Sequence, residues 1–133
     1  MATARSVGPE AIHGYHAHIY FRDARERERA LKLRETIAAR FPVKLGRVWD
    51  QPIGPHPLPM YQVVFTPEQF GTFLPFLMTA REDLTVLVHP ETGDDVIDHS
   101  VFALWLGAVL PLDLEFLRKF ATGEASVPSQ PSG

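Results

Sequence analysis

Two of the chain's six histidines, His16 and His18, stand two residues apart. Alternate side chains of an extended strand share a face, so both imidazoles can reach a single ion. The same spacing also arises where two exposed strand histidines bind nothing, so the pair needs companions. His89 closes the apolar run Leu84 to Val88 and completes a triad if its strand lies beside the first; a hydrogen-bonded strand end is the competing reading. His56 sits in Gly-Pro-His-Pro, a stiff loop that would hold a ring at little ordering cost, although loop histidines are often surface residues. His99 follows Glu91, Asp94, Asp95 and Asp98, carboxylates that serve equally well as turn and helix caps. His13 falls on the opposite parity from His16 and His18 and is peripheral.

Other chemistries are poorly provided for. The chain contains no cysteine, which excludes thiolate ligands, disulfides and cysteine nucleophiles. Any metal must be held by histidine and carboxylate. Gly93 is isolated and no Lys-Ser or Lys-Thr pair follows a glycine, so there is no phosphate-binding loop. Ser100, the one serine away from the two ends, is weak ground for a serine hydrolase even though it adjoins His99. Thirteen Lys and Arg face sixteen Asp and Glu, and many of the bases lie between Arg22 and Arg40 interleaved with acids. That pattern argues against a nucleic-acid footprint. Apolar runs are too short to span a bilayer, and Met1 to Glu10 lacks a signal-peptide core, which leads us to expect a cytoplasmic protein with no membrane partner.

The elements that must position these groups follow from periodicity. Tyr15, Ala17, Ile19 and Phe21 alternate with His16, His18 and Tyr20, a strand with one core face and one imidazole face. Asp23 and Glu26 resemble a capping box before a helix carrying Ala30, Leu33, Ile37 and Phe41 and ending near Pro42. Val43 to Asp50 reads as a second strand, Gln51 to Pro59 as an irregular loop with four prolines, and Met60 to Phe65 as a third strand. Thr66, Pro67 and Gln69 open a second helix with Phe70, Phe73, Leu74 and Leu77 as its apolar stripe, followed by a strand from Leu84 to Val88. This order predicts an α+β, ferredoxin-like βαββαβ sandwich. Its four-stranded antiparallel sheet has both helices on one face, leaves the other face open for a site, and is followed by a C-terminal extension. We expect residues 1–120 to form a single domain and 121–133 a flexible tail.

Four segments together carry a likeness. Tyr15-His16-Ala17-His18-Ile19-Tyr20-Phe21, Gly54-Pro55-His56-Pro57, Val86 to Asp95 with Asp98-His99, and Ala103-Leu104-Trp105-Leu106-Gly107 resemble the DOPA 4,5-dioxygenase family over about positions 13 to 107, the third segment most specifically. The resemblance implies a ferredoxin-like fold and extradiol cleavage of a catechol, such as DOPA, by dioxygen. It also implies a ferrous ion, Fe(II), which zinc can replace in a crystal. On that basis His16, His18 and His89 are the expected ligands, and His56 and His99 the acid/base or substrate-orienting groups. Glu91 stands in reserve as a carboxylate ligand.

A non-catalytic metal- or small-ligand-binding dimer of the same fold is the alternative, since fold does not fix function. A homodimer is compatible with either, through an uncovered sheet face or the apolar run Val101 to Leu110. Arg47, Arg81 and Lys44 are the cations considered for meeting a substrate carboxylate.

Overall fold

Along β1, Tyr15–Tyr20, the side chains alternate between two destinations, and the rest of the molecule is arranged around that division. The computed structural model describes residues 7–128. β1 is central in the sheet. It pairs antiparallel with β3, Met60–Phe65, on one side and with β4, Val86–Pro90, on the other. The short β2, Lys44–Leu45, extends the sheet beyond β3, and β5, Leu104–Leu106, extends it beyond β4, giving the order β2-β3-β1-β4-β5.

Helix α1, Ala24–Arg40, starts where Asp23 accepts the Glu26 backbone N–H at 2.8 Å, while the Glu26 carboxylate reaches back to the Arg22 N–H at 2.9 Å. One orphan donor of the first turn, and the N–H of the residue before the cap, are thereby satisfied. Its Ala30, Leu33 and Ile37 are buried. They join Ala17, Ile19 and Val63 from the sheet and Phe73 and Leu77 from α2, Phe70–Ala80, in the main core. A 3-10 turn, Pro67–Gln69, precedes α2, and the Gln69 side chain accepts the Thr66 N–H at 2.8 Å.

The opposite face of β1 carries His16, His18 and Tyr20, and it is covered, not open as the helix count suggested. The proline-rich loop after β2 and the chain after β4 fold over it, forming a second cluster of Tyr20, Met60 and Leu87 with Trp49, Ile53 and Trp105 packed against it. Two further helices complete this cover, α3, Asp95–Asp98, and α4, Leu114–Ala121. The Asp113 N–H bonds the Pro55 carbonyl at 2.9 Å and ties α4 to the loop.

Two expectations are corrected. The sheet has five strands instead of four, because Leu104–Leu106 from the apolar run pairs with Val86–Val88. That pairing is non-local, and it protects an edge of β4 that would otherwise present unpaired backbone groups. The second strand is confined to Lys44–Leu45; beyond it only the Gly46 N–H to the Gln62 carbonyl and a bridge between Trp49 and Met60 continue the pairing with β3. β4 runs on to Pro90, so His89 lies within the strand. Among the described residues no helix is long and apolar enough to cross a membrane. Residues 129–133, part of the expected tail, lie outside the described range.

Candidate active site

Register decides which histidines meet. His16 is directly opposite His89 in the β1–β4 ladder, and His18 lies two residues further along on the same face. The Nε2 atoms of His18 and His89 are 3.1 Å apart, with both residues almost wholly buried. His16, His18 and His89 each offer a ring nitrogen within 4.8 Å of the others. The proline-rich loop delivers His56, whose ring centroid is 4.3 Å from that of His18. α3 ends at His99, whose ring lies 3.9 Å from that of His89. All five histidines singled out in the sequence therefore converge, while His13 stays on the surface.

Hydrogen bonds to the far side of each ring assign the tautomers. His89 Nδ1–H donates to the Pro90 carbonyl at 3.0 Å, and His99 Nδ1–H to the Asp95 carbonyl at 2.7 Å, which leaves a lone pair on each Nε2. His16 Nδ1 lies 3.0 Å from the Glu91 carboxylate and donates to it. His56 is different. Its Nδ1 is 2.7 Å from the Tyr20 hydroxyl. Burial raises the phenol's pKa, keeping it protonated, and no other acceptor for that proton is present among the described residues. Tyr20 O–H therefore donates, and the His56 proton sits on Nε2.

Burial first, and repulsion among the imidazoles second, lower His56 to about 3 and hold His18 well below the usual range, while burial lowers His99 against the opposing effect of its bond to Asp95 and the nearby carboxylates. His89 falls to about 2 for the same reasons as His56, although its bond to Pro90 opposes the shift. His18, His56 and His89 are therefore neutral donors at any physiological pH. With a lone pair on His89 Nε2, the 3.1 Å contact is either a hydrogen bond from His18 Nε2–H or two lone pairs converging on one cation. Two nitrogens at that separation can both bond an ion at the roughly 2.0–2.1 Å of metal–imidazole contacts. The donor set suits a divalent ion of borderline softness. His18 Nδ1, buried with no partner among the described residues, would carry that ring's proton if its Nε2 bound the ion.

The cluster lines a cavity of about 260 Å³ whose apolar walls include Trp49, Ile53, Phe116 and Phe120, with Val127 and Pro128 closing one side. Gly54, at φ +60°, faces this wall: a Cβ there would stand 3.5 Å from Val127 and 3.7 Å from Phe116, so the backbone conformation excludes other residues more than the space does. Behind the cluster, Asp98 is fully buried and accepts the Thr92 N–H at 2.8 Å and hydroxyl at 2.6 Å, fixing the turn that carries Glu91. Sequence reasoning held Glu91 as a reserve ligand, whereas the structure places it as His16's hydrogen-bond partner. It did not identify Tyr20 as the residue that orients His56, though Tyr20's shared parity with His16 and His18 was the available signal. Nor did it identify Phe116 and Phe120, an i,i+4 pair on α4, as a wall of the cavity.

Fold and site together define an α+β protein with a buried histidine cluster at the base of a small cavity. Residues 15–116 match the model of the Dopa 4,5-dioxygenase family, and the chain belongs to that family. It is 36% identical over 118 residues to a protein of Amanita muscaria named DOPA 4,5-dioxygenase, spanning 83% of this chain and 52%, about half, of that one. An uncharacterized 21.2 kDa protein of Botryotinia fuckeliana is 41% identical over 123 residues, 84% of this chain and 67% of its own length. A crystal structure from Nostoc punctiforme, described as a "putative dioxygenase", superposes with a TM-score of 0.84 at 56% identity, covering 86% of this chain and 99% of that one.

Proposed function

We propose that this chain is a ring-cleaving (extradiol) dioxygenase acting on a catechol such as DOPA, with a ferrous ion held by His16, His18 and His89. The observation that carries the reading is the buried convergence of His18 and His89 Nε2 at 3.1 Å, with His16 across the ladder, at the base of a cavity lined by aromatic side chains. The name of the Amanita relative supplies the substrate class. In the same reading, β1 to β4 with α1 and α2 form a ferredoxin-like βαββαβ core that β5 and the C-terminal helices extend.

A ferrous ion in this site would offer open positions to the two catechol oxygens and to dioxygen. The chain's own groups divide the remaining work. His99, with Nδ1–H tied to Asp95 and a lone pair on Nε2, is the acceptor for a catechol proton. His56, held by Tyr20 with its proton on Nε2, is the donor that orients an oxygen or returns a proton. Glu91 fixes the His16 ring, and an orienting partner of this kind makes a ligand more basic. The loop and C-terminal cover keep water from the cluster, which strengthens each of these interactions.

The test is anaerobic reconstitution with ferrous iron, followed by oxygen uptake and visible absorbance with a panel of catechols including DOPA and protocatechuate. A yellow ring-opened product with matched oxygen uptake is expected. Stoichiometric iron with no uptake on any catechol would leave a metal-binding module instead.

A further inference from the structure

The polar groups around the cavity are unevenly charged. Besides the histidines they include Glu91, Asp95 and Gln62, and no Lys or Arg lines it among the described residues. None of the cations considered for a substrate carboxylate lines the cavity. Arg81 donates to the Leu84 carbonyl at 2.8 Å, Lys44 is exposed on β2, and Arg47, though outside the lining, stacks on the wall residue Trp49 at 4.1 Å from its ring centroid. Trp49 itself, Phe116 and Phe120 supply aromatic surface.

We propose that the site selects catechols whose ring substituent carries no net negative charge, favouring an ammonium or an uncharged group over a carboxylate. The inference rests on the catechol reading above and names the substrate class within it. Away from the ion, a carboxylate entering this cavity would be desolvated beside two like charges, with no lining Lys or Arg to pair with. An ammonium group meets Glu91 and Asp95 as counter-charges and the aromatic walls as cation–π partners. A zwitterionic side chain can place its ammonium inward and its carboxylate toward solvent, so DOPA remains acceptable.

Three probes with one ring separate the possibilities: 4-(2-aminoethyl)catechol, 4-ethylcatechol and 3,4-dihydroxyphenylpropionate. Their binding to the full chain loaded with zinc, which does not turn them over, is measured by calorimetry, and oxygen uptake is measured separately on the ferrous form. The amine and ethyl compounds should bind at least about tenfold more tightly than the propionate, a difference of about 1.4 kcal/mol. Asp95→Asn should reduce the amine-to-propionate ratio. Equal binding of the propionate and the amine overturns the proposal, as does binding of none of the three. If the order of binding holds but no catechol drives oxygen uptake, the selectivity stands and the ring-cleavage reading falls.

Discussion

The two faces of the sheet solve different problems with the same strands. Toward α1 and α2, every second side chain of β1 is apolar and joins a core of Ile37, Phe73, Leu77 and Val86 with almost no exposure. Toward the cavity, the alternate positions of the same strand place His16, His18 and Tyr20, and β4 adds His89. Burying neutral imidazoles is unfavourable unless each finds a hydrogen-bond partner or a ligand. The helix face must supply the stability that lets the other face hold depressed, unevenly satisfied histidines, a combination that marks functional sites. If this division holds, substitutions on the two faces should fail in different ways.

The largest separation comes from ligand removal. His89→Ala or His18→Ala should abolish stoichiometric metal binding and turnover while leaving the chain folded, checked by metal analysis and circular dichroism on the same samples. His89→Ala retaining a full equivalent of iron would sink the ligand assignment. On the helix face, Phe73→Ala should cost about 3–5 kcal/mol of stability in denaturant titration. Metal stoichiometry per folded molecule should be unchanged.

Acid should weaken the histidine face selectively. In the unfolded chain histidine titrates near 6.5, whereas the folded protein holds His56 at about 3 and His89 at about 2. Below about 6.5 the unfolded state binds protons that the folded state refuses. The stability present above that pH is therefore lost as pH falls toward the folded values, by about 1.4 kcal/mol per pH unit for each such histidine in the metal-free protein. Urea midpoints measured from pH 7.5 to 4.5 should show this slope. Replacing His56 with Phe should flatten it, and an unchanged slope would mean that His56 is not buried and neutral.

What the sequence disclosed follows the same division. β1, α1, β3 and the histidine positions were readable because their signals are local: alternation, the Asp23 cap, and apolar spacing along α1. β5 was not, since three residues of an apolar run carry no sign of which strand they will pair with. The cover over the histidines was missed because the proline-rich loop and α4 are joined only by non-local contacts, such as Asp113 N–H to Pro55. The tautomers of His56 and His99 depend on Tyr20 and on a backbone carbonyl, partners that spacing cannot reveal.

A smaller effect isolates the support around the ligands. Glu91→Gln keeps the shape of the His16 partner but replaces a carboxylate acceptor with an amide, and loss of an orienting partner typically costs 10–100-fold in metal affinity. A competition titration against a chelator should show a loss in about that range, with the metal still binding at full stoichiometry. Unaltered affinity would mean that the 3.0 Å contact to His16 does not bear on metal binding.

The smallest and most specific change is Tyr20→Phe, which removes one oxygen from the histidine face and leaves the packing against Trp105 in place. A lost hydrogen bond should lower stability by about 1 kcal/mol. More tellingly, His56 Nδ1 loses the donor that fixes its proton on Nε2, so the ring can exchange tautomers. Nitrogen-15 spectra should show His56 as a mixture in the variant and as the Nε2–H form in the parent, while His89 and His99, tied to carbonyls, keep Nδ1–H in both. If ring cleavage needs His56 as a fixed donor, kcat should fall with little change in KM for the catechol. A parent spectrum already mixed at His56 would show that Tyr20 does not orient it, and would return His56 and His99 to equivalent roles.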